Sequence, residues 1–137
     1  MRYMLLIYTT DAPASLEEME RVKQAHRIVM EETARKGILQ GAEPLAPTKT
    51  AKTVRVQNDK VFTTDGPFAE TKEQLAGYYI LDCKDLDEAI GYAARIPTAC
   101  GGGQGCIEVR PLPGIPSREI PAQGENKEYK TEAVYAK

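Results

Sequence analysis

Asp65-Gly66-Pro67-Phe68 sets a carboxylate, a forced bend and an aromatic ring side by side. Two readings are open for this turn. In the first, Asp65 accepts backbone N–H bonds at the start of a turn, Gly66 and Pro67 fix the bend, and Phe68 plugs the core. In the second, the turn holds Asp65 at the mouth of a cleft walled by Phe68. An ionisable carboxylate against an aromatic wall suits proton transfer to or from a small organic ligand.

His26 is the only histidine of the chain. Its ordinary pKa lies near neutrality, so it can take and give protons at working pH. It falls in the middle of an apolar helical stripe, where an aliphatic residue is expected. One reading is a hydrogen-bonded, inert histidine under a sheet; the other pairs it with an acidic residue as a catalytic unit. Arg55 and Arg110 could neutralise an anionic ligand, or pair with Glu108 or Glu43 across a sheet. Tyr78 and Tyr79 are neighbours on one strand and must face opposite ways. The one turned away from the helices could offer a hydroxyl to a ligand; alternation does not decide which of the two that is, and Tyr79 is taken as the ligand contact. Glu70, Lys72 and Glu73 follow the turn as a charged loop, which reads first as a solvated rim.

Other chemistries find less support. Cys83, Cys100 and Cys106 are odd in number and form no Cys-x-x-Cys, so free thiols, buried or half-buried, are expected and no metal site. Gly101-Gly102-Gly103-Gln104-Gly105 follows a helix instead of opening one and lacks the Gly-Lys-Ser/Thr of a phosphate loop, so it reads as a connector. No cofactor is implied. The net charge of −2 comes without a Lys/Arg cluster, which argues against nucleic acid as a partner. No apolar run nears the roughly 20 residues of a membrane span. The apolar start, Tyr3 to Tyr8, is broken by Thr9, Thr10 and Asp11 before any cleavage site, so it reads as a strand and not a signal peptide. The cytoplasm is the expected compartment.

The elements that must position these residues follow from periodicity. Tyr3 to Tyr8 is apolar at every position, the mark of a strand covered on both faces. Ser15-Leu16-Glu17-Glu18 fits a capping box, which predicts a helix from about Leu16 to Lys36 ending at Gly37. Met19, Val22, His26, Val29, Met30 and Thr33 share its inner face. Ile38 to Leu45 reads as a strand weakened by Gly41 and ended by Pro44. Lys52 to Gln57, the turn at Asn58-Asp59-Lys60 and Val61 to Thr63 form a hairpin. Gly77 to Cys83 is a strand with Tyr78 and Ile80 on one face, Tyr79 and Leu81 on the other. Asp85 opens a second helix with an inner stripe of Leu86, Ala89, Ile90, Ala93 and Ala94, ended by Pro97. Cys106 to Arg110 is the last strand.

The order strand, helix, strand, then strand, helix, strand is the split βαβ plan: an α+β, ferredoxin-like antiparallel sheet with two helices on one face. At 137 residues the chain suits one domain, residues 1–111, with a Pro-rich charged tail at 112–137. Two helices cover one face only, yet two strands are apolar on both. A second copy packed sheet to sheet hides the other face most economically, so a homodimer is expected.

Asp65 through Cys83, Ile107-Glu108-Val109-Arg110-Pro111 and Thr53-Val54-Arg55 together resemble the signature of the YCII-related family, in particular its DGPF branch. The likeness covers about residues 1–111 and leaves out the tail. It implies a dimeric α+β barrel, two sheets face to face, with a cleft near the turn. It favours the acid/base reading of Asp65 and makes Glu70 and Lys72 candidate ligand contacts. YCII-like relatives resemble enzymes for which a His–Asp pair has been proposed as the catalytic unit. Asp65 lies on the family motif; His26 matches no motif of it.

Two functions are expected from this. One is a cofactor-free acid/base enzyme of isomerase or lyase type, with Asp65 and His26 acting on a small organic molecule held by Phe68, Glu70, Lys72, Arg55 and Tyr79. The other is a non-catalytic, regulatory module that binds a metabolite or a protein, in which Asp65 only shapes a turn.

Overall fold

A computed structural model describes residues 1–10, 15–97 and 105–114. The expected link at 11–14, Cys100, most of the glycine loop and the tail beyond residue 114 lie outside the described residues. Strand β1 (Arg2–Thr9) sits inside the main sheet, antiparallel to β5 (Gln74–Asp82) on one side and β6 (Gly105–Leu112) on the other. Strand β2 (Leu39–Pro44) adds to the far edge of β5, giving the order β2-β5-β1-β6. That is the ferredoxin-like arrangement of an antiparallel sheet, with helices α1 (Leu16–Arg35) and α2 (Leu86–Ala93) as its crossovers.

Strand alternation decides where the core lies. Tyr3, Leu5 and Ile7 of β1, with Tyr79 and Leu81 of β5 and then Cys83, are buried on one face. Val29 of α1 and Ala89, Tyr92 and Ala93 of α2 close over them, with Ile96 just beyond. Leu5 and Leu81 are fully buried; each such side chain contributes about 1.5–3 kcal/mol by leaving water. Thr33 is buried as well, but its hydroxyl donates to the Val29 carbonyl at 2.8 Å, so no polar group is stranded.

The first helix begins as expected. Ser15 accepts from the Glu18 N–H, and the Glu18 carboxylate accepts from the Ser15 N–H. It ends where Gly37 adopts a φ of 74°, a conformation that only glycine takes without strain. Val22, His26, Val29, Met30 and Thr33 face inward, but Met19 is exposed. The N-terminal turns of α1 overhang the sheet.

The second helix departs from expectation. Asp85 caps it, accepting from the Glu88 N–H at 2.9 Å. Its buried stripe is Ala89, Tyr92, Ala93 and then Ile96, while Leu86, Ile90 and Ala94 face out. The reason is Tyr92. Its ring is buried, and its hydroxyl accepts from Lys36 Nζ at 3.1 Å across the two helices. Lys36 also donates to Glu32 at 3.2 Å, and Arg95 donates to the same carboxylate. Lys36 and Arg95 both lie within 6 Å of the Tyr92 ring centre, at 5.6 and 5.8 Å. One carboxylate and one phenol thus clasp the C-terminal halves of the two helices.

The sheet's other face carries Met4, Leu6 and Tyr8 of β1 beside Tyr78 and Ile80 of β5, all half-buried. Among the described residues neither helix covers them. The remaining elements are a short 3-10 turn at Thr48–Thr50 and a separate two-stranded ribbon, β3 (Lys52–Gln57) and β4 (Lys60–Asp65). Asn58 and Asp59 make its tight turn, with φ of 50° and 61°. Val54, Val56, Val61 and Phe62 are all exposed on it. Among the thiols, Cys83 is buried as expected, whereas Cys106 is exposed because the β6 register turns it to the uncovered face beside Tyr8.

At Gly77 the β2 backbone lies close against β5. A Cβ there would lie 2.8 Å from the Glu43 carbonyl oxygen and 3.3 Å from Pro44 Cα. Both obstacles are backbone and cannot swing aside. Gly77→Ala is therefore expected to lose about 1–3 kcal/mol in urea unfolding, and an unchanged midpoint would contradict this packing. The clasp has its own signature. The Arg95 and then the Lys36 hydrogen bonds hold the Glu32 carboxyl down at about 2. The unfolded chain therefore binds the extra proton between roughly pH 4.5 and 2, and stability falls as pH falls through that window. Glu32→Gln should flatten the acid limb of the stability–pH curve, relative to the unaltered chain, over that range.

Candidate functional site

Between the overhanging half of α1 and the sheet is a cavity of about 320 Å³. Its size is at the small end of ligand sites. Val22, His26 and Met30 of α1 form one wall; Ile7, Thr9, Ala42, Gly77 and Tyr79 of the sheet form the other, and Pro97 closes an edge. Alternation explains the sheet wall. Thr9 continues the row Tyr3, Leu5, Ile7 on the helix side, and Ala42 lies opposite Tyr79 on β2. Gly77 is the next position of β5 on the Tyr79 side and also lines the cavity.

His26 and Tyr79 meet across this gap. Nδ1 of His26 lies 2.6 Å from the Tyr79 hydroxyl, and the two rings are 14° from parallel. Tyr79 is 3% exposed, so its phenol needs this partner. Burial pushes the Tyr79 phenol up to about 12 and lowers the His26 imidazole from its ordinary value. Both groups are therefore uncharged at neutral pH. A hydrogen bond between two neutral, amphoteric groups can run in either direction: the phenol donates to Nδ1, or Nδ1–H donates to the phenol oxygen. Nε2 is the ring nitrogen that Tyr79 leaves free.

Of the candidate catalytic and ligand-binding residues expected from sequence, His26 and Tyr79 are the two that line this cavity. The sequence leaves open which of the two neighbouring tyrosines faces the helices; it is Tyr79, and Tyr78 is turned to the uncovered side. Asp65 ends β4, is exposed, and is paired with Lys52 directly across the ribbon. Gly66 takes a φ of 100°, its N–H donates to Ala51, and Thr53 donates to its carbonyl at 2.9 Å, so the turn is pinned to the start of β3. Phe68 is 78% exposed and lies under the Arg55 guanidinium, 5.3 Å from ring centre to cation. Glu70 and Lys72 are exposed in the following loop. None of these five lines the cavity. Arg110 stands on β6 opposite Met4, on the uncovered face.

Sequence reasoning missed that His26 and Tyr79 are partners. The signal was present: a lone histidine inside an apolar stripe must meet a polar group, and Tyr3 and Tyr79 are the sheet tyrosines with the right parity. It also missed Thr9, Ala42 and Gly77 as walls, because bulges near Gly41 and between Ile7 and Tyr8 shift the registers there.

The model of the YCII-related domain matches residues 1–113. The chain belongs to the YCII-related family. It is also similar to an uncharacterized protein of Rhizobium meliloti (strain 1021), 38% identical over 125 residues that make up 89% of this chain and 100% of that relative. The match takes in every element from β1 to β6, and with them the cavity, the ribbon and the Asp65 turn. Among the described residues no helix is long and apolar enough to cross a membrane. Among the same residues no three His, Cys, Asp or Glu side chains gather as metal ligands do.

Because the chain has one histidine, its ring protons report on this site alone. Their NMR titration should give a pKa below 6.5. The sign for stability follows: the unfolded chain binds the proton first, so stability is complete above about pH 6.5 and declines as pH falls toward the lowered value. An imidazole titrating at or above 6.5 would contradict the buried pair.

Proposed function

We propose that this YCII-related protein is a small acid/base enzyme of isomerase or lyase type that moves a proton within a small organic molecule held against His26 and Tyr79. The supporting observation is the 2.6 Å bond between two uncharged amphoteric groups in a cavity otherwise walled mainly by apolar side chains. The chemistry of the pair suggests the step. The reactive form carries its proton on Nδ1, donating to the Tyr79 oxygen. Nε2 takes a proton from a carbon next to a carbonyl. Tyr79 gives its hydroxyl proton to the carbonyl oxygen and takes the Nδ1 proton in exchange. The products are an enol and the other tautomer of His26, with the proton now on Nε2 and Tyr79 donating to Nδ1. No net charge develops, which suits a site that solvates charge poorly.

The proposal includes a homodimer of the DGPF branch. The half-buried row Met4, Leu6, Tyr8, Tyr78 and Ile80 favours a second sheet against it, and the exposed ribbon favours further contact, since a free two-stranded ribbon is marginal in water. Asp65, Arg55 and Phe68, with Glu70 and Lys72 beyond, belong to this ribbon and its loop. They act on a ligand, under this proposal, by lining the approach to a cavity in the assembled pair, with Asp65 assisting His26 and Tyr79 from there. The second reading, a regulatory binding module, is favoured by the same ribbon: exposed Val54, Val56 and Val61 suit a protein contact as well as a gate.

The test is solvent-deuterium exchange into the α-carbon of cyclohexanone, followed by NMR. The protein should accelerate exchange, His26→Gln should lose about 100-fold or more, and Tyr79→Phe should lose a large part of the rate. Asp65→Asn should lose less than about tenfold, as a contribution from outside the cavity. Exchange no faster than buffer, or unaffected by His26→Gln, would sink the catalytic reading in favour of the binding module. Sedimentation at micromolar concentration should show a dimer; a well-folded lone subunit would remove that part of the proposal.

A further inference from the structure

The cavity's lining is as informative for the charges it lacks as for the pair it holds. Among the described residues that line it, none is Lys or Arg. Glu43 is the one carboxylate among them, and the β2 register sets it opposite Tyr78 on the other face of the sheet. Apart from the strand backbone, what remains for a ligand is Ile7, Val22, Met30 and Ala42 as greasy walls, with Thr9, His26 and Tyr79 as polar points.

We infer that the cavity takes uncharged, largely apolar molecules about one ring in size, bearing a single hydrogen-bonding group addressed to the His26–Tyr79 pair, and that it rejects organic anions. This rests on the proposed use of that pair as the ligand's polar contact and adds the substrate class. The physical ground is desolvation. An ionised carboxylate entering the cavity would leave water and find no cation among the described lining residues to replace it, a cost that a hydrogen bond from neutral imidazole or phenol does not offset. An amide, ketone or phenol of the same shape gives up far less. The volume of about 320 Å³ limits the ligand to a small ring or its equivalent. The lowered imidazole pKa supports the same view, since a site that disfavours its own imidazolium supplies no counter-charge.

Benzamide and benzoate form a matched pair for the test: nearly one shape, with and without charge. Each is titrated into the full chain at pH 7.5 while the single histidine's ring signals are followed by NMR. Benzamide should shift those signals with saturation, and benzoate should bind more than about tenfold more weakly. Benzoate binding as tightly as benzamide, or moving the histidine signals more strongly, would overturn the inference. So would the absence of any benzamide effect on the histidine up to its solubility limit. The result separates cleanly from the catalytic question. Charge discrimination at His26 without exchange of cyclohexanone protons supports this inference and removes only the enzyme reading.

Discussion

The register of β5 between β1 and β2 is the constraint on which the site depends. Alternation along a strand has a period of two, so a slip of one residue would turn every side chain to the opposite face. In the observed register Tyr79 stands under α1 and Tyr78 on the far side, with Leu5 beside Tyr79 on β1 and Ala42 beside it on β2. A slipped register would turn Tyr78 toward α1 in place of Tyr79 and expose Leu81, which is fully buried. Packing of Leu81 and Leu5 therefore does more than stabilise the subunit: it selects which phenol reaches the imidazole. Gly77 belongs to the same arrangement. Its lack of a side chain lets the β2 backbone approach β5 at the cavity's wall.

Helix α1 does two jobs with its two halves. The C-terminal half is committed to the core through Val29 and Thr33 and to α2 through Glu32 and Lys36. The N-terminal half overhangs, held by its capping box and not by deep burial. His26 sits at the boundary between the two. Upstream of it the helix stands away from the sheet, and that separation is the cavity. The clasp of Glu32, Lys36, Tyr92 and Arg95 can be understood as the anchor that lets the other end of a 20-residue helix be spared from packing. The rotated face of α2 follows from this anchor: Tyr92 must point inward to receive Lys36, which carries Leu86 and Ile90 outward.

The topology was legible in the sequence because it rests on local signals. The capping residues Ser15 and Asp85, the terminating Gly37 and the Asn58-Asp59 turn each act within a few residues, and each is found where its chemistry puts it. The two-faced apolar strands were legible for the same reason. What was not legible depends on pairing across the fold. The α2 stripe was misjudged because Leu and Ile outrank Tyr on any apolar scale, yet Tyr92 has a partner 56 residues away and is buried, while Leu86 is exposed. The orientation of Tyr79 could be narrowed to two choices by alternation but not chosen, because the choice is made by neighbouring strands. Asp65 drew attention through its turn, and the turn is real. Its carboxylate, however, is engaged with Lys52 on the ribbon, away from the cavity lining within one chain.

The neutrality of the site connects these levels. A histidine in a helix facing solvent would titrate near its ordinary value and act as a general-purpose base. Here the same burial that builds the cavity holds the imidazole uncharged and keeps the phenol protonated. Proton transfer in such a place is easiest when each acceptor is also a donor, so that charge never accumulates. An imidazole and a phenol joined by a short bond meet that requirement; an imidazole and a carboxylate do not, because the carboxylate would bring a permanent charge that the apolar walls cannot solvate. On this argument the position of Asp65 outside the cavity is consistent with the chemistry proposed for it. On the ribbon the carboxylate keeps Lys52 as its counter-charge and stays exposed to solvent, neither of which the cavity's apolar walls would supply.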